Sequence, residues 1–272
     1  MLRQYINNYL ELNIKDKNDV AILFSGGMDS LSILFSCLDL EIKPHLYSFY
    51  LKNYESEDIK MSRKVSEIYN LKLTEIIIDD EDVNKLIKDV KYIIKHFNVY
   101  LKTQVQCIYP FIYVIPKIEE ICILTGLCAD DMYGTCLSLA KLSKDIEIFN
   151  LNRLKRINNI HASSYFEINQ LCTENNKILI APYKQDKNII NLFMNLNYKQ
   201  MNSPKQKNIM YKDYKNELDK NKLYRRNNNL QCGSKIRELH DKLLNTDLNT
   251  KNYKVVNPIY KNLYKQLISK EE

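Results

Sequence analysis

Val20-Ala-Ile-Leu-Phe-Ser-Gly-Gly-Met-Asp-Ser30 runs an apolar segment into a glycine turn, and a helix pattern follows through Leu31, Leu34, Phe35 and Leu38. Four of the chain's five glycines fall in two such turns, Gly26 and Gly27 here and Gly126 and Gly134 in Thr125-Gly-Leu-Cys-Ala-Asp-Asp-Met-Tyr-Gly134. Glycine is ordinarily about 7% of a chain. A sequence this sparing of it keeps it where φ must be positive or where something must approach the backbone closely. Strand, glycine turn and helix N-terminus together gather an anion with backbone N–H groups and the helix dipole, and a phosphate fits that description. The plain alternative is a tight turn in which Ser30 or Asp29 caps the helix.

Outward from this turn the pattern alternates. Strands are expected at 20–24, 45–51, 73–78 and 120–125, with helices at 29–39, 56–69, 81–97, 105–116 and 129–140. Apolar strands separated by helices predict an α/β fold, a parallel Rossmann-like sheet with helices on both faces. Such sheets bind ligands beyond the C-terminal ends of their strands, where the strand order reverses. Both glycine turns follow strands, so they are expected to share one cleft. Residues 1–18 read as a short amphipathic helix and a polar linker. From about 146 the pattern becomes helical pieces joined by Asn- and Lys-rich loops. The expected division is a nucleotide-binding core over 1–145 and a mostly helical region over 146–272 that completes the cleft.

Ser25-Gly-Gly-Met-Asp-Ser30 lacks the Gly-Lys-Ser/Thr ending of a Walker loop. It resembles the PP-loop of the ATP pyrophosphatase superfamily, S-G-G-x-D-S, and the resemblance implies the adenine nucleotide alpha hydrolase-like fold. Leu124-Thr-Gly-Leu-Cys-Ala-Asp-Asp-Met-Tyr-Gly134 is similar to the asparagine synthetase motif, roughly S-G-E-G-A-D-E-L-F-G-G-Y after Leu or Val. The resemblance implies that ATP is cut between its α and β phosphates, with an activated carboxylate then attacked by ammonia or an amine. ATP and Mg²⁺ are the implied cofactors. Phe24, Ser25, Gly26, Gly27, Asp29, Ser30, Ser48, Thr125 and Gly126 would border the nucleotide. Ser48 lies in His45-Leu-Tyr-Ser-Phe-Tyr50, which looks like the family's second strand beside the adenine. Asp29 and Asp130 would hold the metal. Lys207, in Pro204-Lys-Gln-Lys-Asn-Ile-Met-Tyr211, matches the family's late lysine-led helix and joins Asp29, Asp130 and Arg226 as a catalytic candidate. Acidic decoration of a helix's first turn is the alternative for Asp130 and Asp131.

The departures matter as much. Leu127 stands where the family carries its catalytic glutamate, and it can neither accept a proton nor position a nucleophile. The family's late loop, R-x-K-x-x-F-x-D-G, is matched loosely by Tyr224-Arg-Arg-Asn-Asn-Asn-Leu-Gln-Cys-Gly233. Its lysine falls on Asn227, and Arg225 or Arg226 would take over the phosphate contact. Residue 2 is Leu rather than a glutaminase's cysteine, so no glutaminase is expected on this chain. Nitrogen would come as free ammonia, as an amine, or from a separate amidotransferase subunit. Two other readings stay open. Thr125-Gly-x-x-Ala-Asp-Asp131 also resembles the T-G-H-x-A-D-D motif of tRNA-modifying PP-loop enzymes of the lysidine synthetase or thiolase type, with tRNA as partner. A nucleotide-binding protein that has lost catalysis is the second.

Composition narrows the classes. The 272 residues are 45% hydrophobic and 27% charged, enough for a real core. The net charge is +7, and residues 181–240 hold 13 Lys/Arg against 5 Asp/Glu, a surplus suited to a solvated surface or to RNA phosphates. No apolar stretch is long enough to span a bilayer and no signal peptide is apparent, so a cytoplasmic protein with no membrane partner is expected. Seven cysteines without Cys-x-x-Cys spacing argue against a disulfide framework, a zinc ribbon or an iron–sulfur site. His45, His96, His161 and His240 show no metal spacing. Thr103, Gln104 and Gln106 precede the second turn and are candidates to face an acyl substrate.

Overall fold

Val20–Leu23 forms β1, and all four residues are buried because the strand lies at the centre of the sheet with both faces covered. In this computed structural model, which describes residues 1–226, 229–244 and 253–269, β1 follows α1 (Leu2–Asn13). The core continues through α2 (Met28–Asp39), β2 (His45–Leu51), α3 (Glu57–Tyr69), β3 (Leu73–Ile78), α4 (Val83–Phe97), α5 (Lys102–Ile108), α6 (Phe111–Val114), β4 (Cys122–Leu124) and α7 (Ala129–Tyr133). A fifth strand, β5, is Ile178–Ile180. The sheet order is β3-β2-β1-β4-β5, and every pairing is parallel. Successive strands run outward from β1 in one direction through β2 and β3, and in the other through β4 and β5. The order therefore reverses between β1 and β4, and the cleft is expected beyond their C-terminal ends.

Alternation along each strand divides the core into two layers. Val20, Ile22, Leu46, Leu124 and Ile180 pack with α1 and α2 on one face. Ala21, Leu23, Tyr47, Ile123 and Leu179 pack with α4, α5 and the helix over 253–269 on the other. Leu2, Ile6 and Leu10 recur every four residues on α1 and are fully buried there. The α/β sheet with helices on both faces is thus the observed architecture.

Local chemistry sets the boundaries. Ser56 caps α3 by accepting from Ile59 N, and Asp82 caps α4 by accepting from Lys85 N. Both helices end on asparagine in the left-handed region, Asn70 at φ 49° and Asn98 at φ 51°. Asparagine thus serves where positive φ alone is needed. Glycine is kept where a Cβ has no room: at Gly26 (φ 64°) one would stand 2.4 Å from Met61 Cγ, and at Gly126 2.7 Å from the Asp29 backbone.

The structure differs from the sequence reading in three places. The helix expected near 105–116 is two pieces, with Tyr109-Pro110 between α5 and α6. The helix expected over 129–140 is broken at Gly134, which caps α7 at φ 64°, and helix resumes only over Leu137–Ala140. Residues beyond 146 include β5, which pairs with β4 from Cys122↔Ile178 to Leu124↔Ile180. Three residues between Lys177 and Ala181-Pro182 are too few to show a strand period.

Candidate active site

The two glycine turns meet at the reversal point. Phe24 N donates to Tyr47 O at 2.8 Å, which extends the sheet one residue into the first turn. Gly27 N donates to Ser25 Oγ at 3.2 Å and Ser30 Oγ donates to Gly27 O at 3.0 Å, so the turn is closed on itself and α2 begins at Met28. The second turn starts where Thr125 N donates to Ile180 O at 3.0 Å, a bond supplied by β5. Gly126 lies flat against the first turn of α2, since even a methyl group there would strike Asp29. Contact between the turns fixes the two carboxylates relative to each other.

Asp29 and Asp130 both line the resulting cleft, whose volume is about 200 Å³. Behind them is Lys207, fully buried, with Nζ 2.7 and 2.5 Å from the two oxygens of Asp29 and 2.8 Å from Oδ1 of Asp130. Lys207 is held in the left-handed region at φ 58°. Its backbone N–H donates to Asn202 Oδ1, and Asn202 in turn donates to Tyr133 O at the end of α7. Thr135 Oγ1 donates to Asp130 Oδ1 at 2.7 Å. Burial pushes the Asp29 carboxyl up to about 6, against the pull of the Lys207 ammonium, and Asp130 adds to the rise. Burial opposes the charge on Lys207, yet Asp130 and Asp29 together hold its ammonium above the usual lysine value.

The adjacent Asp131 has a different task. It is buried, accepting from Arg156 Nε at 2.6 Å and from Ser163 Oγ at 2.9 Å, and so anchors the second turn to the helix over 146–158. Asp130 alone of the pair lines the cleft.

Other expected residues separate on inspection. Phe24, Ser25, Ser30, Thr125 and Gly126 line the cleft, and Gly26 and Gly27 form the turn beneath it. Ser48 does not line it. Its hydroxyl accepts from Ser62 Oγ of α3 at 3.2 Å on the opposite face of β2, and alternation turns Tyr47 and Phe49 toward the cleft instead. Arg226 is exposed and outside the lining, whereas Arg225 enters it, donating to Ser25 O at 2.7 Å and pairing with Asp58 at 2.5 Å. Asn227 lies outside the described residues. None of Thr103, Gln104 and Gln106 is among the lining residues. The sequence reading missed Phe111, Val114, Ser163 and Leu230, which come from scattered helices and carry no motif.

Away from the cleft, His45, Glu119 and Glu120 approach within 4.8 Å at the other end of β2 and β4. Both ring nitrogens of His45 are engaged, by Glu120 at 2.7 Å and Thr74 at 2.7 Å, so the group ties strands together. All seven cysteines are free thiols. No helix among the described residues is long and apolar enough to cross a membrane.

The asparagine synthase family model matches residues 1–221. The chain belongs to the asparagine synthase family. Membership puts it among ligases of the ATP pyrophosphatase type, at family level. No curated protein matches it. Among solved structures, the chain is similar to a predicted subunit of tRNA methyltransferase from Methanocaldococcus jannaschii. The identity is 17%, coverage is 77% of this chain and 92% of that one, and the TM-score is 0.37.

The residues fit the family's ATP and magnesium. Two carboxylates at one cleft are hard oxygen donors of the kind Mg²⁺ takes. Lys207 offsets one of their two charges, which leaves a net negative pair for a cation. The N-terminus of α2, with Ser25 and Ser30 beside it, suits phosphate oxygens. Tyr47 and Phe49 offer an apolar wall for a base.

Proposed function

We propose that this protein is an AMP-forming C–N ligase resembling asparagine synthetase, joining a small carboxylic acid to ammonia or an amine. The observation that carries the reading is the Asp29–Asp130 pair, set by contact between two glycine turns and backed by Lys207. A carboxylate oxygen of the acid forms a bond to the α-phosphorus of ATP, the bridge between the α and β phosphates breaks, and pyrophosphate leaves. Free ammonia or an amine then bonds to the acyl carbon, and the bond from that carbon to the AMP oxygen breaks. AMP leaves, and the proton lost by the nitrogen passes to solvent. Mg²⁺ would be held by Asp29 and Asp130 and would neutralise phosphate charge.

The chain's own groups support the first half-reaction. The turn from Ser25 to Gly27, with Ser30 and the N-terminus of α2, holds the leaving pyrophosphate. Arg225, anchored by Asp58 and by Ser25 O, stands over the same turn and adds positive charge where negative charge grows. Leu127 takes no proton, and the first half-reaction requires none, because a carboxylic acid is already ionised at pH 7. The missing glutamate is therefore compatible with acyl activation.

The test follows α-³²P-ATP with Mg²⁺, ammonium and a panel of carboxylic acids, beside an Asp29→Asn control. AMP that needs an acid and disappears in the control supports the reading. Production of ADP, or of AMP only on addition of tRNA, contradicts it.

A further inference from the structure

Outside the cleft, the helix Ile146–Asn158 turns an apolar face to water. Its inward face is firmly fixed, with Phe149, Arg153 and Ile157 buried. Phe149 lies beneath Gly134, where a Cβ would stand 2.5 Å from its ring, and Arg153 donates to Phe193 O at 2.9 Å. Asp145 caps the helix by accepting from Ile148 N at 3.0 Å. The outward face carries Ile148, Leu151 and Leu154, which are 45%, 53% and 41% exposed. Spaced three residues apart, they form one stripe along the helix. None of them lines the cleft. Covering such a stripe would remove apolar surface from water.

The order of residues on this helix indicates what covers it. Outward from Leu151, matching residues recur in both directions. Asn150 and Asn152 stand one place away, Ile148 and Leu154 three places, and Glu147 and Lys155 four places. Glu147 and Lys155 are exposed on opposite flanks of the stripe. Lys155 has no carboxylate three or four places away on its own helix. A two-fold axis through Leu151, normal to the helix, would run two copies antiparallel and set each place before Leu151 over the same place after it. Leu151 then meets its own counterpart, Ile148 meets Leu154, and Glu147 meets Lys155 on both sides of the axis.

We propose that two copies of this chain associate through the helix Ile146–Asn158, with Leu151 on the two-fold axis and a Glu147–Lys155 ion pair at each edge. The proposal is independent of the reaction in the cleft.

A single helix face makes a small interface, so the dimer should be weak, with a Kd of about 10 µM. Sedimentation equilibrium of the full chain measures it, with folding of each variant checked by circular dichroism. Leu151→Asp should weaken association at least about 100-fold, since two carboxylates would meet on the axis. Glu147→Lys and Lys155→Glu should each weaken it about tenfold by setting like charges together. An equimolar mixture of those two variants pairs opposite charges again and should recover the wild-type affinity as a heterodimer. A wild-type chain that stays monomeric at about 100 µM, ten times the expected Kd, overturns the proposal and leaves the stripe to a different partner. A dimer unaffected by Leu151→Asp overturns it by moving the interface elsewhere. Charge variants that associate no better together than apart overturn the two-fold pairing.

Discussion

Lys207 is the residue on which the site's electrostatics turn, because it is a fully buried ammonium shared by two carboxylates. Replacing it with methionine keeps the volume but leaves Asp29 and Asp130 facing each other without a counter-charge. Lys207→Met should cost about 3 kcal/mol of stability at pH 7, measured by urea unfolding, because breaking a buried pair strands its partners. Asp29 should also set a pH limit. Its carboxyl is pushed up to about 6, so protons compete with Mg²⁺ for it as pH falls through that value. Mg·ATP affinity, by calorimetry, should weaken from pH 7 to pH 5, and Asp29→Asn should be weak and flat across the same range. Asp29 and Asp130 stood out because each lies in a glycine turn that resembles a family motif, and the structure places both in the cleft lining. Arg225 was not distinguishable from Arg226, since nothing local says which of two adjacent arginines faces inward. Ser48 misled because both faces of β2 are covered, so its alternation does not reveal which face meets the cleft.

At the scale of elements, the active geometry depends on how closely the turn after β4 approaches α2. Gly126→Ala would put a methyl 2.7 Å from the Asp29 backbone, which cannot swing aside as a long side chain can. The expected result is a fold retained by circular dichroism with Mg·ATP affinity reduced at least about tenfold, roughly 1.4 kcal/mol. Wild-type affinity in Gly126→Ala would mean the turns move independently. The major strands and helices of the first half were legible from apolar period and caps. The broken helix around Pro110 and the stop at Gly134 were written in the sequence but read through, since apolar residues continue past both. β5 left no such trace. It forms because Thr125 N and the edge of β4 need partners, which is a demand of the sheet rather than of residues 178–180.

For the whole molecule, the far side of the sheet carries a liability. His240 is fully buried against the edge of the Tyr109 ring, centroids 5.0 Å apart, and neither ring nitrogen has a hydrogen-bond partner. Burial, with the nearby Lys102 charge adding to it, lowers its pKa to about 3. The unfolded chain takes up this proton near pH 6.5 and the folded chain does not, so stability falls as pH drops from about 6.5 toward 3. His240→Phe should flatten that part of the stability-versus-pH curve measured by urea unfolding, and an unchanged slope would remove His240 as its source. The apolar layer that includes Tyr109 also supplies Phe111 and Val114 of α6 to the cleft, so fold and site share it.

The central claim is that a carboxylate attacks the α-phosphorus of ATP in this cleft. It is tested most directly with a carboxylic acid that supports AMP formation, labelled with ¹⁸O in its carboxyl group and incubated with Mg·ATP and ammonium. Mass spectrometry of the nucleotide product should find AMP carrying one ¹⁸O in its phosphate, delivered when the acyl group passes to nitrogen. AMP without label, or ADP as the product, would contradict the account.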